Sequence, residues 1–508
     1  MTRKVFALVL ALLLALSVLP AFTAGAESNL PFVTLDWYLS EIKMDDTEIV
    51  NDAVNEYLLD KINANVNIHY WGSEYEDKIT TMISAGVDAG ILSVTGDLGY
   101  VVQAQRGAFY PLDDMLDTIA PDVKALFAEN RWECVRVDGS IYMIPSLKDN
   151  GYFMSLIYNA DMADELGINM NDYDFQNFRE LEELGYKVKE LRDANEKYAE
   201  YADYPVFSDL PLLYPYYFAF ESFFTNGYYA VCNIDGINDI AGVGCETVVD
   251  FYETPEFREF CLTKQRMVED GIYDYDYTNK DERYYTGGIF GRVGWGYTYV
   301  SEHLFSDAFT TKMKMFNKVW TETGNYQGAG QAISAHCAEP ERAMMLLNLV
   351  NTDSEFATMM RFGIEGTHYT YDDEGKMTFA GTKNADVSNR AYYYWYMSYT
   401  GNLTIVNAPE ELVGPDNIML ERMVEYNNAC LAGNHMGFVL DTDPIVNEVA
   451  ACTNVVSEYQ DELVRGQAAS QEETEALVDE FIAKLKANGV DTIVAEVQKQ
   501  IDAWNAAK

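Results

Sequence analysis

The chain has 508 residues, enough for more than one hydrophobic core, and carries 81 Asp and Glu against 35 Lys and Arg. A net charge of −46 repels polyanions, so DNA, RNA and anionic membranes are disfavoured as partners. Seven Cys are too few for a disulfide framework in a chain this long, although Cys232 and Cys245 are close enough in sequence to bridge.

Arg3 and Lys4 precede a nearly unbroken apolar run over residues 5–19, and Ala24, Gly25 and Ala26 put small residues at a cleavage point. This is the pattern of a secretory signal peptide, residues 1–26. An uncleaved anchor is the alternative, but the apolar run is short for a spanning helix. The mature chain is expected to be exported, soluble and monomeric.

Beyond the signal the hydrophobic period alternates. Residues 32–39 read as a strand, 46–62 as an amphipathic helix, 66–71 as a strand, 75–85 as a helix and 89–94 as a buried strand. That β-α-β-α-β order predicts a mainly parallel sheet with helices on both faces. Ligands bind beyond the carboxyl ends of such strands, where Trp37, Trp71 and Asp97 fall. Asp138–Ser140 is a turn, and residues 141–145 form a strand whose Pro145 suits a sheet edge. A second block opens at 152–158 and carries a helix over 177–200 and an aromatic stretch over 214–229. The chain returns to a strand at 332–334 and a helix at 340–350, and four helices follow over 416–431, 443–465, 471–488 and 490–504.

Several catalytic and metal signatures are missing from the sequence. There is no CxxC, HExxH, GxSxG or P-loop, and no cofactor is implied. Asp274 and Asp276 hint at calcium but lack the glycine and glutamate of an EF-hand. The many acids leave a glycosidase carboxylate pair open as an alternative, though nothing singles one out.

Several segments in order resemble the extracellular solute-binding proteins of carbohydrate-type ABC importers, in particular the large lipoprotein-like members of Gram-positive bacteria. Asp97 with Gln105–Asp113, Asp138–Pro145 with Leu156–Asn159, Gly330–Ser334 with Pro340–Met344, Asn351–Asp353 with Gly363–Tyr369, and Gly437–Asp441 with Glu496–Trp504 carry the likeness. It implies an α/β type II periplasmic-binding-protein-like fold with a helical C-terminal region. One lobe would take residues 27–148 and 329–385, the other 149–328 and 386–508. It also implies capture of a sugar or oligosaccharide by lobe closure, delivery to the transmembrane subunits of an ABC permease, and no catalysis. A peptide receptor is the alternative binding reading. Gram-positive members usually carry a lipidated Cys just after the signal; here the first is Cys134, so a freely secreted or periplasmic form is expected.

A pyranose offers an apolar face that a ring can cover and a hydroxyl rim that carboxylates and amides can bind. The expected stacking residues are Trp37, Trp295 and Tyr297, the last two in a glycine-flanked segment that the resemblance turns toward the cleft. Asp97, after the third strand, and Asp149 with Tyr152, at the first crossing between lobes, are the expected partners of the rim. Trp71 and Trp395 are expected in core, and His368 as a buried structural donor.

Overall fold

The computed structural model describes residues 30–175, 178–209, 218–224, 227–274, 287–295, 309–386, 388–394, 401–413 and 418–508. Residues 1–26, Tyr297 and Trp395 lie outside them. The predicted N-terminal order is present as β1 (Val33–Leu39), α1 (Thr47–Ile62), β2 (Ala64–Tyr70), α2 (Tyr75–Ser84) and β3 (Ile91–Thr95). Helix α1 buries Val50, Val54, Leu58 and Ile62, one side chain per turn, and ends at Asn63 in the left-handed conformation. β1 pairs in parallel with β2 from Val33 to Leu39, and with β3 on its other side. Gly90 sets up β3: its φ is +52°, and a Cβ there would stand 2.1 Å from the Asp36 carbonyl oxygen. β4 (Met143–Pro145) takes a sheet edge, as its proline predicts.

A second sheet begins with β5 (Met154–Asn159). After it come α3 (Phe178–Asp193), β6 (Phe207–Asp209), α4 (Pro255–Glu269), β7 (Tyr273–Asp274), β8 (Gly291–Trp295) and β9 (Thr311–Met315). The order across this sheet is β7-β6-β8-β5-β9. The chain then crosses back through β10 (Trp320–Thr321), and β11 (Ala329–Ile333) inserts antiparallel between β3 and β4. The first sheet therefore reads β2-β1-β3-β11-β4, with one strand from far down the chain.

Helices α5 (Pro340–Thr352) and α6 (Ser354–Phe362) follow, then α7 (Ile418–Ala429), β12 (Leu431–Ala432), α8 (Val446–Val464), α9 (Gln471–Ala487) and α10 (Val490–Ala507). Two large cores result. One gathers Leu35, Val54, Ile91, Ile333 and Leu346; the other gathers Leu156, Phe207, Phe257, Phe290, Phe481 and Ile493, so α8, α9 and α10 belong with the second sheet. Several described residues between 388 and 423, a stretch expected in the second lobe, pack elsewhere. Tyr392 and Tyr394 enter the first core, and Val413, Met419 and Met423 pack with Ala357 and Phe362 of α6. The tyrosine hydroxyls hold the segment in place, Tyr392 donating to the Met360 carbonyl at 3.0 Å and Tyr394 to Ile42 at 2.7 Å. No helix among the described residues is long and apolar enough to cross a membrane.

Candidate functional site

The two bodies are joined by backbone segments running side by side. Leu147 bridges Asn402, Tyr152 bridges Trp320, and β10 pairs in parallel with β12. Side chains tie the same strands together. Thr321 Oγ1 and Asn325 Nδ2 both donate to the Asn150 carbonyl, at 2.7 and 2.9 Å, and Asn427 Nδ2 donates to the Lys148 carbonyl at 2.5 Å.

A cavity of about 730 Å³ opens over these crossings. One wall is Val101, Val102, Gln105 and Arg106 of the first body; the base is Tyr152, Trp320, Glu322–Asn325 and Gln327; the far wall is Phe220–Phe224, Tyr228, His435 and Phe438–Asp443. Aromatic side chains dominate it. Tyr152 meets Trp320 edge-on at 5.7 Å, and Phe223 meets Phe438 edge-on at 5.6 Å. Polar residues line it too, among them Gln105, Ser222, Thr323, Asn325 and Gln327. The indole Nε1 of Trp320 and Oδ1 of Asn325 are buried without a protein partner, and leaving such atoms unpaired costs about 1–3 kcal/mol each.

Three acid–base groups shape the far wall and the base. Glu221, 3% exposed, accepts from the His435 backbone N–H at 3.0 Å and pairs with its Nδ1 at 2.8 Å. Gly433 permits this approach, since a Cβ there would lie 2.0 Å from Glu221 Oε1. His435 Nε2 meets Glu246 at 3.3 Å, and these carboxylates outweigh burial to hold the imidazole above its usual pKa. Glu322 accepts from the Ser222 N–H at 2.9 Å. Burial first, then the nearby Glu221 carboxylate, pushes its carboxyl up to about 8.

The expected site residues scatter across this geometry. Tyr152 lines the cavity. Asp149 sits three residues earlier on the crossing, where burial raises its pKa and Lys148, 3.4 Å away, pulls it down. Asp97 lies in the short 3-10 turn after β3, and Trp295 ends β8. Trp37 is 0% exposed, within the first core rather than open to the cavity. Both faces of β1 are covered over its last three residues, so alternation in the sequence does not tell core from cleft there. His368 is a structural group: Nδ1 accepts from the Ile364 N–H, and Nε2 bonds Asp46 at 3.1 Å. Trp320, Glu322, Asn325 and His435 were missed, because they converge from segments about a hundred residues apart and no local spacing marks them.

Two α/β bodies, an interleaved sheet order and adjacent crossings beneath a cavity define the two-lobed fold of solute-binding proteins, as the sequence resemblance implied. The profile of a family described as a domain of unknown function, DUF3502, matches residues 434–506. The chain is similar to a carbohydrate ABC transporter substrate-binding protein of Streptococcus pneumoniae serotype 4, 23% identical over 485 residues, covering 91% of this chain and 89% of the relative. Among solved structures it resembles the N-glycan transport solute-binding protein NgtS of Streptococcus pneumoniae, with a TM-score of 0.76, 21% identity, and 92% and 98% of the two chains covered. The same protein in complex with Man5GlcNAc gives a TM-score of 0.63 at 21% identity, over 94% and 99%. An HMO-binding, ABC-transporter-associated solute-binding protein of Bifidobacterium longum infantis gives 0.59 at 16% identity, over 94% and 99%.

Proposed function

We propose that the chain is the extracytoplasmic substrate-binding protein of an ABC importer, which captures a sugar or oligosaccharide between its lobes and hands it to a membrane permease. The observation that carries this reading is the cavity over the crossings. Rings of Tyr152, Phe223 and Phe438 offer faces to pyranose C–H groups, while Glu322, Gln105 and Gln327 supply hydrogen-bonding rims. One lobe is built on the first sheet and takes in Tyr392, Tyr394, Val413, Met419 and Met423; the other is built on the second sheet and α8–α10. Solute touching both walls stabilises the closed form by its higher affinity for it, so the conformational equilibrium does the signalling and no bond is broken. The likeness to sugar-binding importer components supports this reading over a peptide receptor or a hydrolase. We place the mature protein outside the cytoplasmic membrane, working as a monomer beside its permease.

A thermal-shift screen with Man1GlcNAc, Man5GlcNAc, kestose and milk oligosaccharides tests it. A ligand at a hundred times its Kd stabilises by about 2.7 kcal/mol, an easily read rise in Tm, and chromatography should recover the glycan intact. Stabilisation by peptides alone, or release of a shortened glycan, would replace the reading with one of its alternatives.

A further inference from the structure

We infer that Glu322 is a specificity-determining residue of the interlobe cavity, selecting glycans that carry a free amine. This rests on the reading above as a glycan receptor.

Glu322 lies between Trp320 and Asn325 on the crossing that forms the cavity base. Its Oε2 takes the Ser222 N–H, and no cation among the described residues makes an ion pair with it. The neighbouring charge is Glu221, which is already occupied by the His435 imidazole at 2.8 Å. The remaining charged groups of the cavity are Asp441 and Asp443 on one wall and Arg106 on the other, all exposed. Asp441 and Asp443 add negative potential near the mouth, and Arg106 stands on the opposite, lobe-one wall. Glu322 is only partly exposed, and once ionised it has the Ser222 N–H but no cation of the described residues beside it. A protonated sugar amine meets the ionised Glu322 with opposite charge at the cavity base, whereas an N-acetyl group offers no charge. Glu322 holds its proton at neutral pH, because burial and Glu221 lift it to about 8. An arriving ammonium favours the ionised form, so binding at pH 7 releases a proton.

The test measures binding of the intact mature protein to a trimer of β-1,4-glucosamine, its N-acetylated counterpart, trigalacturonate and trilysine. Calorimetry at pH 7 in two buffers of different ionisation enthalpy counts protons. The free-amine trimer is expected to bind about tenfold more tightly than the acetylated one, with proton release, and the preference should vanish in Glu322→Gln, whose amide oxygen still accepts from Ser222. Equal binding of the two trimers, tighter binding of trigalacturonate, or a preference unchanged in the variant overturns the inference and leaves the glycan reading standing. Binding of trilysine with no glycan bound at all overturns both. The proton count in the wild-type protein decides the matter even if the variant fails to fold.

Discussion

Asp250 holds a carboxyl that the fold stabilises only in its neutral form. The residue is 8% exposed; Oδ1 accepts from the Tyr252 N–H at 3.0 Å, while Oδ2 is buried with no partner. Burial, with Glu253 and Asp491 nearby, pushes the group from 3.8 to about 8. Asp250→Asn keeps the acceptor and removes the charge. Because the folded pKa lies above the unfolded one, folded wild type binds a proton that the unfolded chain has released, and its stability falls as pH rises from about 4 to 8. The variant has nothing to titrate. At about 1.4 kcal/mol per pH unit, its advantage should be absent near pH 4, on the order of 4 kcal/mol at pH 7, and level above pH 8. Any penalty for the new amide N–H is independent of pH and leaves this slope intact. Urea unfolding at pH 4, 7 and 9 reads it from the midpoints, provided the m-values agree. A midpoint difference that stays constant across the three pH values would refute the claim that this carboxyl is desolvated.

Other outcomes follow from the same physics. Tyr152→Ala should weaken binding of any glycan found in the screen by about tenfold, since the ring contributes roughly 0.5–1.5 kcal/mol beyond its buried area; Tyr152→Phe, measured beside it, should stay near wild type. His435→Ala strands the buried Glu221 carboxylate and should cost about 3–5 kcal/mol in chemical denaturation at pH 6. Because the imidazole pKa is raised above 6.5, the pair contributes fully below that value and fades as pH climbs through the raised one, so the deficit should shrink by pH 9. Gly90→Ala forces a side chain against the Asp36 carbonyl at positive φ and should lower stability by about 2 kcal/mol or more, seen as a depressed Tm.

The N-terminal β-α-β-α-β order was legible because each element packs one periodic face, as α1 does with Val50, Val54 and Leu58. Pro145 marked its own edge strand. Which lobe a segment joins was harder to read. Tyr392 and Tyr394 follow no period that names a partner, and their place is decided by hydroxyls reaching carbonyls 32 and 352 positions away. The cavity was half legible. Tyr152, expected from its position on a crossing, lines the cavity, whereas Trp37, equally near a strand end, is enclosed on both faces. Glu322 and His435 matter through neighbours such as Ser222 and Glu221 that only the folded chain supplies.

The crossings at Leu147–Asn402, Tyr152–Trp320 and β10–β12 lie beside one another, so together they behave like the spine of a book. Rotation about that line is the soft movement left to the two covers. Surfaces remote from the spine travel furthest for a given swing, while those beside it scarcely shift. Under the proposed importer role, a permease that grips both covers at their outer edges would distinguish loaded from empty by span alone, without touching the cargo.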